Sequence, residues 1–179
     1  MLLLALLLGV ASAANAQGEI GGDFTLTDHN GRPFELRQLR GKLVLLFFGY
    51  TYCPDICPSE LSNVAAVLDA LGPRADEVRG LFISLDPQRD RPQVLREYVR
   101  YFNENLLGLT GSAEAVARVA RQYRVKYRRN ERADGGYTLD HSANLYLIGR
   151  NGDLEAVVPY GLPPEHVLEL VRGLLAEAG

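Results

Sequence analysis

The order of apolar runs predicts a single α/β domain, a mixed sheet with parallel central strands and flanking helices, preceded by an extra N-terminal β-hairpin. Three observations predict it. Residues 43–48 are a continuous apolar run, the pattern of a strand buried on both faces, and 78–85 read as a second buried strand. A helical stripe of Leu61, Val64, Ala65, Leu68 and Leu71 lies between them, making a strand–helix–strand unit. Near the other end, Asn151-Gly152 sits between two short alternating runs, a hairpin signal that adds antiparallel strands.

The chain has 179 residues, 47% of them hydrophobic. A domain of that size hides about 70% of the surface its unfolded chain would expose. A net charge of −3 argues against a nucleic-acid partner. Tryptophan is absent and Met1 is the only methionine, which excludes a methionine-rich metal surface.

The elements follow in order. Residues 2–10 are apolar, and Ala11-Ser12-Ala13 and Ala14-Asn15-Ala16 offer small-residue cleavage patterns. Residues 1–16 read as a secretory signal cut after Ala16, followed by a linker, 17–22, and the domain, 23–179. No Lys or Arg precedes the apolar run, and the charge-free stretch ends at Glu19, just short of the roughly 20 residues of a spanning helix. An uncleaved membrane anchor is therefore the alternative. Both place the domain outside the cytosol, in a bacterial periplasm, where a disulfide can persist.

Phe24 and Leu26 alternate along the first strand. Residues 28–31 (Asp-His-Asn-Gly) form its turn, with His29 expected to be exposed, and 34–36 form the second strand. Pro58 suits the first turn of a helix running to Leu71, which Gly72-Pro73 ends. Asp86-Pro87 closes the strand 78–85. Arg91-Pro92 opens a helix to Phe102, with Asp90 expected as its N-cap. A short strand at 106–109 precedes a helix beginning at Ser112, whose inner face is Val116, Val119 and Ala120. Arg118, Arg121, Arg124, Lys126, Arg128 and Arg129 form a basic run, read as a solvated face, with a docking patch for an acidic partner as the alternative. Gly135-Gly136-Tyr137 begins a hairpin region, and 143–148 and 154–158 pair as strands. Pro163-Pro164 opens the last helix, with Val167, Leu168, Val171, Leu174 and Leu175 inward and His166 exposed. This order is the thioredoxin-like arrangement.

The chemistry centres on Cys53 and Cys57, the only cysteines, which lie between the first core strand and the helix after it. A loop turning into a helix brings such a pair to one side, within reach of one ion or of each other. Unpaired amides and the helix dipole there favour thiolate, which is both nucleophile and metal ligand. A purely structural disulfide is the plain alternative, although a bridge closing so short a loop constrains the unfolded chain little. Asp55, between the two, reads as a turn residue, or as a charge that steers a partner with a basic rim. His141 lies 84 positions after Cys57, just before a strand expected beside the first core strand. Spacing alone leaves it open between an ordinary hairpin residue and a third site residue. Asp140 and Ser142 flank it and could orient the ring.

Cys-Pro-Asp-Ile-Cys-Pro after Phe-Gly-Tyr-Thr-Tyr resembles the signature of the Sco/SenC family, as do residues 84–92 (Ser-Leu-Asp-Pro-Gln-Arg-Asp-Arg-Pro) and Asp140-His141-Ser142. The resemblance runs from about Phe24 to Leu175. It implies a thioredoxin-like fold that carries copper and helps assemble the dinuclear copper site of cytochrome c oxidase. It implies Cys53, Cys57 and His141 as ligands of one Cu(I) or Cu(II) per chain. The implied partners are the oxidase subunit with that dinuclear site and an upstream copper donor. The family usually keeps a membrane anchor, whereas the N-terminus here carries only a weak one. The ligand chemistry agrees: two thiolates hold Cu(I), and an added imidazole lets the site hold Cu(II) as well.

Two enzyme readings compete. A thiol–disulfide oxidoreductase could use Cys53 and Cys57 to reduce the cysteines of the same oxidase subunit. Three residues separate the pair, where thioredoxin-type enzymes use two, and no tryptophan precedes it. A peroxiredoxin-like peroxidase would need Pro-x-x-x-Thr-x-x-Cys, which neither cysteine satisfies.

Overall fold

The computed structural model describes residues 20–177, so the expected signal at 1–16 lies outside the described residues. The hairpin strands are β1 (Thr25–Asp28) and β2 (Pro33–Glu35), followed by a 3-10 turn, Leu36–Leu39. The core unit is β3 (Leu43–Gly49), α1 (Ile56–Ala70), a 3-10 turn at Gly72–Glu77, β4 (Val78–Ser84), α2 (Pro92–Phe102) and β5 (Leu106–Thr110). Then come α3 (Ala113–Gln122), β6 (Tyr127–Glu131), β7 (Tyr137–His141), β8 (Leu145–Ile148), β9 (Leu154–Val158) and α4 (Pro164–Glu177).

Seven strands form one sheet in the order β2-β1-β5-β4-β3-β8-β9. The β3–β4 and β4–β5 pairs are parallel; β3–β8, β8–β9, β1–β5 and β1–β2 are antiparallel. Every residue of β3 is buried, as its unbroken apolar run requires. Its neighbours β4 and β8 bring Leu81, Phe82, Ile83, Leu145, Tyr146 and Leu147 into the same core. Helix α1 packs against both α2 and α4, and α2 lies on β5. The site therefore grows out of the most deeply packed strand.

Several elements differ from expectation for identifiable reasons. Residues 20–22, expected as linker, run along the end of α3: the Gly21 amide donates to the Gln122 carbonyl at 3.0 Å, and the Tyr123 hydroxyl to that of Gly22 at 3.1 Å. His29 is buried, not exposed. β1 stops at Asp28 opposite Leu109, so the Gly108 amide has no strand partner there; His29 Nδ1 accepts it at 3.2 Å. Residues 127–131, part of the basic run, form β6, which pairs only with β7 in a separate two-stranded ribbon. Its arginines are exposed and compensated nearby: Arg128 bonds Asp140 at 3.1 Å and Arg129 bonds Glu131 at 2.6 Å.

Candidate metal centre

β3 ends at Gly49, and that position has no room for a side chain. An added Cβ would stand 2.6 Å from Cys57 Sγ and 2.8 Å from the Phe82 ring. The chain then turns through Tyr50, which is buried, and the Cys53 amide donates to the Tyr50 carbonyl at 3.2 Å. Cys53 sits half-buried in the turn. Cys57, two residues further on than the start of α1 would need for a mere cap, lies fully buried in the first helical turn.

The turn is held from outside. Asp90 is fully buried; it accepts from the Thr51 amide at 2.9 Å, the Thr51 hydroxyl at 2.5 Å and the Ser84 hydroxyl at 2.6 Å. Burial pushes its carboxyl up, and the Ser84 and Thr51 donors pull it back down. It does not cap α2, whose N-cap is Arg91 with no side-chain cap. Asp90 instead joins the thiol loop to the end of β4, because the three donors converge on it and a cap needs only one.

His141 enters from the ribbon as the last residue of β7. Its Nε2 lies 3.4 Å from Cys57 Sγ, and the three donor atoms of Cys53, Cys57 and His141 all lie within 4.8 Å of one another. Nδ1 donates to the backbone carbonyl of Ser142 at 2.9 Å, which leaves the Nε2 lone pair facing the sulfurs. The ring is wedged edge-on between Phe47 and Tyr50, with centroids 6.3 and 5.9 Å away. The flanking side chains do not orient it: Asp140 turns to Arg128, and the Ser142 hydroxyl holds the Lys126 amide at 3.0 Å. Ser142 acts through its carbonyl because its side chain is spent closing the base of the ribbon.

The two thiols share their protons unequally. The Cys57 thiol bonds to Cys53 and holds the Cys53 sulfur well below the usual thiol range, at about 3; burial opposes this, and His141 and the amides of Asp55 and Cys57 assist. The Cys57 thiol is pushed up by that same bond and by burial. One thiolate is thus ready at the exposed edge, and an ion that replaced the shared proton would make the second. Asp55 occupies the N-cap position of α1 and is exposed; its side chain caps nothing, while its amide faces Cys53.

Residues outside the expected set complete the site. Gly49 gives Cys57 its space. Arg89 and Tyr137 join the ribbon to the thiol loop, with the Arg89 guanidinium carbon 3.7 Å from the Tyr137 ring centre. Their signals were present in the sequence: Arg89 lies within the 84–92 segment, and Tyr137, Leu139 and His141 alternate along one face of a strand. Glu60 is buried one turn past Cys57, with Oε2 lacking a hydrogen-bond partner among the described residues; burial pushes its carboxyl up to about 6, against a bond from Asn63.

The chain is similar to known proteins over most of its length. The SCO1/SenC family model matches residues 12–176. An SCO2-like protein of Rickettsia felis is 38% identical over 157 residues, covering 87% of this chain and 77% of its own. The mitochondrial SCO2 homologue of Bos taurus is 42% identical over 164 residues, covering 89% of this chain and 62% of its own. The structure of Bradyrhizobium japonicum ScoI with copper bound superposes with a TM-score of 0.81 at 41% identity, covering 87% of this chain and 99% of that one.

Proposed function

Since the chain belongs to the SCO1/SenC family, we propose that it is a copper chaperone: it holds one copper ion between Cys53, Cys57 and His141 and delivers it to the dinuclear copper site of cytochrome c oxidase during assembly. The observation that carries this reading is the convergence of two sulfurs and the Nε2 lone pair within 4.8 Å. Two thiolates suit Cu(I), and the imidazole adds a donor that suits Cu(II). A structural zinc site would want four protein ligands. A three-donor site leaves its cargo open to an incoming ligand, which transfer to another protein requires.

The chain's residues divide the work. Cys57, buried, fixes the ion's depth. Cys53, half-buried and readily ionised, lies where an incoming or receiving thiolate would meet the cargo. His141 closes the opposite side. The donor and the recipient subunit are proposed from the family's role. An exported location, with residues 1–16 as signal or anchor, is supported by the apolar stretch at 2–10. Similar proteins include bacterial and mitochondrial ones. Among the described residues no helix is long and apolar enough to cross a membrane.

The thiolate at Cys53 also suits disulfide exchange, but exchange gives no role to an imidazole aimed at the buried sulfur. Copper titration under reducing conditions, with a thiol count, tests the proposal. The reduced protein should take up one ion per chain and pass it to the soluble copper domain of the oxidase subunit. Cys53→Ser and Cys57→Ser should bind none. Stoichiometric uptake by diamide-oxidised protein would refute the thiols as ligands.

A further inference from the structure

The ribbon that carries His141 is a two-stranded element outside the main sheet. His141 Nε2 nevertheless stands at hydrogen-bonding range from Cys57, so something must fix the ribbon's angle to the body. Tyr137 and His141 occupy the two ends of β7 and share one face with Leu139, because side chains two apart point the same way. The Tyr137 hydroxyl donates to Asp86 Oδ1 at 2.8 Å. Its ring lies between two guanidinium groups, Arg89 at 3.7 Å and Arg129 at 3.6 Å from its centre. Arg89 Nη1 also donates to the Tyr137 carbonyl at 3.1 Å, and its Nε bonds Asp86.

Arg89 reaches the thiol loop as well. Its guanidinium carbon lies 4.7 Å from the Tyr52 ring centre and 5.7 Å from that of Tyr50, the residues just before Cys53. A hydrogen-bonded path runs beside it: Tyr137 to Asp86, the Asp86 amide to the Ser84 hydroxyl at 2.9 Å, Ser84 to Asp90, and Asp90 to Thr51. One planar cation thus touches the far end of the ribbon and the entrance of the thiol loop together.

We propose that Arg89 and Tyr137 act as a buckle that positions His141 over the thiols, and so set how much more tightly the site holds Cu(II) than it would with the thiols alone. The inference rests on the copper reading above. Both residues are positioning residues, since neither contributes a donor atom. Geometry makes the effect selective. Cys53, in the turn after β3, and Cys57, in the first turn of α1, are held by Asp90 and the core rather than by the ribbon. His141 depends on the ribbon, and Tyr137 is roughly 13 Å from this histidine along a strand rising about 3.3 Å per residue. Releasing that end lets the strand tilt and carries Nε2 away from Cys57.

The test uses the full chain in reduced form with Tyr137→Leu, Tyr137→Phe, Arg89→Lys and wild type. Tyr137→Leu should weaken Cu(II) about tenfold, the scale for losing a residue that orients a ligand. It should leave Cu(I) affinity unchanged and move the Cu(II) absorption and EPR spectra toward those of His141→Ala. Tyr137→Phe keeps the stacked ring and loses only the bond to Asp86, so it should fall between. Arg89→Lys keeps the charge and loses the planar fork, and should resemble Tyr137→Leu. In the metal-free protein, amides of residues 139–141 should exchange faster in Tyr137→Leu while those of β3 stay protected. Wild-type Cu(II) spectra and affinity in both Tyr137→Leu and Arg89→Lys would overturn the buckle, as would unchanged exchange at 139–141. If wild type bound no copper, the copper reading would fall while the exchange experiment still decided the buckle.

Discussion

Cys57 and His141 face each other across 3.4 Å, yet they belong to regions held by different forces. The thiol loop rises from β3, where Leu45, Leu46, Phe47 and Phe48 are essentially inaccessible, and continues into a helix packed on two others. The ribbon at β6–β7 exposes most of its side chains and pairs its charges in water, where such pairs contribute little. Only Leu139 of the ribbon is well buried, and its other ties to the body are polar and aromatic. In the proposed site Cys57 is part of the core, Cys53 packs half-buried against it, and His141 is delivered by an arm leaning on it. On that proposal the thiolate half is fixed by the core, and the imidazole half, which would admit Cu(II), is adjustable.

The largest expected effect probes the core half. Leu46→Ala removes a fully buried side chain from β3, the strand that leads into the thiol loop, and should cost about 2–5 kcal/mol in chemical denaturation. A cost below that range would mean that β3 is less tightly packed than the thiol loop requires.

A smaller effect tests whether the core half is optimised for stability alone. Glu60 has its carboxyl raised to about 6 by burial, above the unfolded value. Its contribution is therefore fully present below the unfolded pKa and is lost as pH rises through about 6. At neutral pH, Glu60→Gln should be more stable than wild type by about 2 kcal/mol, with the gap closing toward pH 4. A pH-independent difference would place the cost in packing instead.

The smallest effect probes the arm. Arg128→Ala removes an exposed ion pair with Asp140 and should leave the denaturation midpoint unchanged within error. A clear loss would show that the ribbon draws stability from its surface charges and would blur the contrast between the two halves.

The same contrast explains what the sequence revealed. The parallel unit and the thiol loop were legible because an unbroken apolar run and a helical stripe report a packed core directly. The ribbon was half-legible. Residues 127–131 carry arginines and no apolar alternation, so nothing in their pattern marks a strand. His29 and Asp90 were misplaced for a related reason. Each satisfies backbone or hydroxyl groups that only the folded chain brings to it, Gly108 for one and Thr51 and Ser84 for the other. His141 was recognisable through its family motif, while its orientation depends on the Ser142 carbonyl, which no side-chain pattern announces.

The division into a permanent thiolate pair and an adjustable imidazole is tested most directly by His141→Ala, titrated separately with Cu(I) and Cu(II) on reduced protein. The mutant should still bind one Cu(I) per chain, because both thiolates remain in place, and should lose most of its Cu(II) affinity. Full retention of Cu(II), or loss of Cu(I) together with it, would contradict the account.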